Sequence, residues 1–95
     1  MSNNISQDTI ISRTKGKDVV YSDLDDELII LLDSAGKVCS LNKTARHIWL
    51  MLAEDVSFGE ICTRLRQTYI VGEQECRIEV TRLVRHLQKL GLVTI

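Results

Sequence analysis

Between Leu28 and Leu32 five apolar residues follow one another without a polar break, whereas from Asn42 to Leu90 the apolar residues recur three and four apart. The first pattern predicts a strand and the second predicts amphipathic helices. Val19-Val20-Tyr21 is β-branched and aromatic and is bounded by the turn signal Asp25-Asp26, so it predicts a strand of its own. The unbroken run Leu28 to Leu32 predicts a strand covered on both faces. Asp33-Ser34-Ala35-Gly36 then supplies turn chemistry, with Gly36 free to take positive φ, and Lys37-Val38-Cys39-Ser40-Leu41 returns as the last of three antiparallel strands. Upstream, Thr9 to Ser12 reads as a short extended segment before a turn at Thr14-Lys15-Gly16-Lys17.

Helical periodicity begins at Asn42, a good N-cap residue, and Ala45, Ile48, Trp49 and Leu52 then share one face of a helix over about 43 to 53. A second start is marked twice: Ser57 and Glu60 have the spacing of a capping box, and Val56 and Ile61 that of a hydrophobic staple. Phe58, Ile61, Cys62 and Leu65 face inward from that helix, and Gly72 breaks the pattern after Tyr69. From about Gln74 to Leu90 the residues Cys76, Val80, Leu83, Val84, Leu87 and Leu90 form an apolar stripe, ended by Gly91 in the C-cap region. The final Leu92-Val93-Thr94-Ile95 is short and β-prone, and packs back on the core. Three antiparallel strands followed by three helices make an α+β, winged-helix-like domain.

Length and composition set limits on that domain. Ninety-five residues, 44% apolar and 26% charged, specify one small core, with residues 1–8 as a polar, flexible start and 9–95 as the folded unit. No apolar stretch is long enough to span a membrane, and the first residues lack a basic, apolar signal segment, so the expected location is the cytoplasm. Cys39, Cys62 and Cys76 are odd in number and contain no Cys-x-x-Cys pair, which predicts free thiols, and the distant His47 and His86 imply no metal. The net charge of −1 gives no overall attraction for nucleic acid. Charge is nevertheless uneven: residues 18–33 hold six acids and no base, while Arg77, Arg82, Arg85 and Lys89 near the end face only Glu79.

No residue set supports catalysis, since neither histidine has a sequence partner as a nucleophile and no glycine-rich phosphate loop exists. No cofactor is implied. Two surfaces remain. Lys37, Val38, Cys39, Ser40 and Leu41, if they form a sheet edge, offer unpaired backbone groups to another chain. On the last helix Ile78 points away from the apolar stripe, among Arg77, Thr81, Arg82 and Arg85.

One further feature is the order of Leu28 to Asp33 with Gly36, Leu41-Asn42-Lys43-Thr44-Ala45 leading to Ile48-Trp49 and Leu52, Phe58-Gly59-Glu60-Ile61 with Leu65 and Tyr69, and Val80, Leu83, Leu87, Gly91 and Leu92. In this order and spacing the region from Val19 to Val93 resembles the PqqD-like family, the peptide-recognition modules of pathways that modify ribosomally made peptides. The resemblance implies a winged-helix-like fold with no activity of its own. It implies that a precursor's leader peptide adds as a strand beside Lys37 to Leu41 and lies against the third helix, at Arg77, Ile78, Thr81 and Arg85, and is presented to a leader peptidase or modifying enzyme. Many relatives have an aromatic residue in that strand, where this chain has Cys39; Glu79 keeps an acid they carry before the position of Val80. The short chain is most similar to the separate recognition proteins of lasso-peptide pathways, with the pyrroloquinoline quinone pathway's own module as another relative. On the residues alone, two other readings compete: a winged-helix DNA-binding module using the basic third helix, and an oligomerisation module, a homodimer paired through the same strand edge.

Overall fold

The computed structural model describes residues 5–14, 20–24, 27–31 and 38–95. In chain order its elements are β1 (Ile10–Arg13), β2 (Val20–Leu24), β3 (Glu27–Leu31), β4 (Val38–Leu41), α1 (Lys43–Met51), β5 (Val56–Ser57), α2 (Phe58–Thr68), α3 (Glu73–Lys89) and β6 (Val93–Thr94). The α+β class and the three strands before three helices are as the sequence predicts. The turns expected at residues 15–17, 25–26 and 33–36 lie outside the described residues, as do residues 1–4, Val19, Leu32 and Lys37.

The predicted sheet is antiparallel, in the order β2-β3-β4, with Leu28 opposite Leu41, Ile30 opposite Cys39 and Leu31 opposite Val38. Cover on both faces of the apolar run is corrected. Leu28 and Ile30 are fully buried, but Ile29 is half-buried and Leu31 is 45% exposed. The reason is the pleat: alternate residues point to opposite sides, and α1 packs against one side of the sheet.

A second antiparallel sheet, in the order β5-β1-β6, raises the strand number among the described residues from the expected three to six. Ile10 and Ile11 pair with Ser57 and Val56, and Ser12 and Arg13 pair with Thr94 and Val93, so the sheet ties the beginning, middle and end of the chain together. The C-terminal residues do pack back, with Leu92 and Val93 buried.

The helix ends follow from local chemistry. The Asn42 side chain accepts the Ala45 N–H at 2.9 Å, and Ser57 Oγ accepts the Glu60 N–H at 3.2 Å, as both were expected to. Two more free N–H groups of α2, those of Phe58 and Gly59, donate to Thr9 O and Gln7 O at 2.8 and 3.0 Å. A Cβ on Gly59 would stand 2.5 Å from Gln7 Cγ, so glycine is what lets residues 5–9 lie against the start of α2. At the end of α3 Gly91 takes φ 76°, while the N–H groups of Gly91 and Leu92 bond to Gln88 O and Leu87 O; this Schellman arrangement turns the chain from α3 into β6.

Between the sheets and helices lies one core, in which Ile11, Phe58, Ile61, Val80, Val84 and Leu87 are all but inaccessible. Each such side chain contributes about 1.5–3 kcal/mol through burial. Trp49 is 3% exposed, and the Arg13 guanidinium stacks 4.2 Å from its ring centre while donating to the Trp49 carbonyl, so β1 is locked to α1. Asp23 on β2 accepts two bonds from Arg46 on α1, each 2.6 Å, and holds the first sheet to the same helix.

Candidate functional site

Strand β4 pairs with β3 on one side, and no strand among the described residues pairs with its other side. Its side chains alternate as a sheet edge demands: Cys39 and Leu41 are buried, Val38 and Ser40 are exposed. Backbone polar groups along such an edge lack protein partners and suit an added strand. Cys39 Sγ lies 4.0 Å from Nε2 of His86, so the edge stands directly against α3.

Where β4 gives way to α1, an open groove of about 570 Å3 begins. Ala45 and Ile48 of α1, Leu65 and Tyr69 at the end of α2, and Cys76 and Leu83 of α3 give it an apolar lining, with Val71 in the α2–α3 turn. Asn42, Thr44, Glu79, Arg82 and His86 add polar groups. Tyr69 is positioned by His47, whose Nδ1 is 3.4 Å from the phenol oxygen and whose ring meets it edge-on. Arg82 and Glu79 are only loosely joined, at 3.9 Å, and both are well exposed, so that each is available to a ligand at little electrostatic cost. His86 belongs both to the groove and to the contact with β4, which makes the edge and the groove one continuous surface.

Of the residues that the sequence singles out, Val38, Cys39, Ser40 and Leu41 form the free edge, and Lys37 lies outside the described residues. Arg77, Ile78, Thr81 and Arg85 are not brought to the groove. Arg77 lies 5.7 Å from the ring centre of Phe58 and lines a separate depression of about 60 Å3 with Gln7, Cys62 and Glu73. Ile78 is 48% exposed, and Arg85 donates to Gln88 Oε1 at 3.3 Å. At about 100° per residue, Glu79, Arg82, Leu83 and His86 fall on one flank of the buried stripe, and Arg77 and Thr81 on the other. The sequence reading missed the groove flank because it placed Leu83 wholly inside. The available signal was Glu79, the acid that the resemblance singled out, which shares that flank.

The buried thiols are packing groups. Burial pushes the Cys39 thiol above its ordinary value, and burial, followed by the neighbouring Cys76, pushes Cys62 up to about 11. Both are therefore protonated at neutral pH, the form with little nucleophilicity. Among the described residues no three His, Cys, Asp or Glu side chains gather as a metal site, and no helix is long and apolar enough to cross a membrane. What the arrangement offers is a strand-pairing edge beside a concave apolar surface with polar groups at its margin.

Comparison with known proteins bears on the family and the fold. A family model described as coenzyme PQQ synthesis protein D (PqqD) matches residues 27–93. A solved structure described as TbiB1 in complex with the TbiA(beta) leader peptide is similar, with a TM-score of 0.74 and 23% identity, over 86% of this chain and 93% of that one. Another, described as lasso peptide synthetase B1 complexed with the leader peptide, also has a TM-score of 0.74, with 20% identity, over 90% of this chain and 98% of that one. No curated protein matches the sequence.

Proposed function

The chain belongs to the PqqD family, and on that premise we propose that it is a non-catalytic module that captures the leader of a ribosomally made precursor peptide and presents it to a leader peptidase or modifying enzyme. The observation that carries this reading is the continuity of the unpaired β4 edge with the apolar groove through His86. An extended leader adds a strand beside Val38 to Leu41, and side chains on its inward face enter the groove between α1 and α3. Arg82, Leu83, Glu79 and His86, rather than Ile78 and Arg85, are the α3 residues it meets. Both similar structures are described as leader-peptide complexes, which supports the same use of the fold here.

Strand addition suits such a task because backbone pairing gives affinity that depends little on sequence, while pockets for alternate side chains give selectivity. Each backbone bond adds about 0.5–1.5 kcal/mol net, and each buried apolar anchor about 1.5–3 kcal/mol. A few of each exceed the roughly 2–5 kcal/mol lost in ordering a disordered segment. The test is calorimetric titration of the protein with the N-terminal segments of short peptides encoded beside its gene, with random duplex DNA as the control. Saturable one-to-one binding by one such segment is expected, with little dependence on salt; tight, salt-resistant duplex binding and no peptide binding would sink the reading.

A further inference from the structure

Resting on the leader-binding reading, we infer that the outer face of the first sheet is a second recognition surface, which selects an apolar, β-branched or aromatic side chain on the outward side of the added strand, next to Val38. Inward-pointing anchors are what the groove accounts for. The outward-pointing half of an added strand ordinarily meets only water, and at this edge it would lie beside an exposed apolar side chain, Val38.

Leu31 and Val38 sit directly opposite one another across β3 and β4, and both point outward, at 45% and 60% exposed. Ile29, half-buried, is on the same face opposite Ser40, which is exposed. One apolar row, Leu31 to Val38, therefore runs across the sheet and stops at the free edge, beside a mixed row, Ile29 to Ser40. The five-residue run that includes Leu28 to Leu31 has the composition of a strand covered twice, yet among its described residues only Leu28 and Ile30 are fully buried. An incoming strand lies about 4.8 Å beyond β4, close enough for one of its outward side chains to pack on Val38 and extend the row.

Direction does not alter the pattern. Whether the peptide runs parallel or antiparallel to β4, the position beside Val38 and the position beside Ser40 are two residues apart on the peptide's outward face. The first is to be apolar and the second is free to be polar. Directly opposed apolar pairs stabilise a sheet, and β-branched or aromatic partners do so best. Val38 is accordingly a specificity residue that leaves the groove untouched, and its exposed side chain can be replaced with little effect on the core.

Display selection with short random peptides against the whole protein tests this. Selected peptides are expected to show two apolar positions of the same parity, for the groove, and one apolar position of the opposite parity. Replacing that odd residue by serine is expected to weaken binding to the wild type by up to about fivefold, the upper range for a cross-strand pair, and to change nothing when the protein carries Val38→Ser. A Leu31→Ser variant should halve the preference or more, whereas Ser22→Ala, on the same face but two strands from the edge, should leave it intact. N-methylation at alternate peptide amides separates strand addition from outer-face selectivity. If methylation at no position reduces binding, or no peptide is selected, strand addition fails and this inference falls with it. If alternate methylation abolishes binding but the odd position tolerates every residue, strand addition stands and the outer-face selectivity is overturned.

Discussion

His86 Nε2 and Cys39 Sγ are 4.0 Å apart, and this contact brings the third helix against the free strand edge on the same side as the groove. The flank of α3 that carries His86 is thus distinguishable from the flank that carries Arg77 by a binding experiment. His86→Asp and Arg82→Glu are expected to weaken peptide binding by about 1–3 kcal/mol each, while Ile78→Asp and Arg85→Glu stay close to wild type. All four positions lie toward solvent or only part-buried, so the melting temperature changes little. Calorimetry on the four folded variants decides between the flanks; a loss confined to Ile78→Asp and Arg85→Glu reverses the assignment.

Trp49 supports the site from beneath. It is buried between the Arg13 guanidinium and the core, on the helix whose Ala45 and Ile48 line the groove. Trp49→Ala is expected to cost about 3–5 kcal/mol, a large share of the roughly 5–14 kcal/mol usual for this length. As the chain's one tryptophan, Trp49 also reports unfolding by fluorescence in the wild type; far-UV circular dichroism in urea compares the variant, and an unchanged midpoint would remove Trp49 from the core.

Local signals were readable in the chain and long-range ones were not. Asn42, Ser57 and Gly91 mark helix ends because their capping bonds close within a few residues. Strand β5, by contrast, is two residues whose pairing is decided by Ile11 and Ile10, 45 and 47 positions away in sequence, and two residues cannot display an alternating pattern. The groove was legible only in part. The apolar spacing gave the stripe through Leu83, but whether its Glu79 and His86 side faces α1 depends on how α2 and α3 pack, which a single helical period does not contain. Gly59 carried a clear motif with an unread cause, since its role is close approach to Gln7 from a segment that sequence suggested would be flexible.

The Asp23–Arg46 pair predicts a pH effect of defined sign. The bond from Arg46 holds the Asp23 carboxyl below its ordinary value near 3.8, so folding favours the ionised form. Its contribution is fully present above the unfolded value and is lost as pH falls through the lower folded value. Both side chains are partly exposed, and the effect is small and weakened by salt. Carbon-detected NMR titration of Asp23 should show a depressed midpoint that returns toward 3.8 in Arg46→Gln; an unshifted midpoint in the wild type removes the pair. Arg46→Glu places a second acid against Asp23 and destabilises the sheet–helix junction.

At the alkaline end the cysteines predict the opposite slope. Cys62 is pushed up to about 11 by burial first and by Cys76 beside it, whose thiol donates to the Cys62 carbonyl at 3.7 Å. A folded value above the ordinary 9.0 means that the folded state retains a proton the unfolded state releases, so stability is unaffected at neutral pH and falls as pH rises between about 9 and 11. The same burial makes alkylation slow until the chain opens. Iodoacetamide labelling followed by peptide mass spectrometry should find Cys62 protected in the native protein and modified on adding denaturant. Cys62→Ala should flatten the alkaline loss of stability seen in melts. Rapid native labelling at neutral pH, or an alkaline slope unchanged in Cys62→Ala, would show that this thiol is neither buried nor linked to folding as the α2–α3 packing requires.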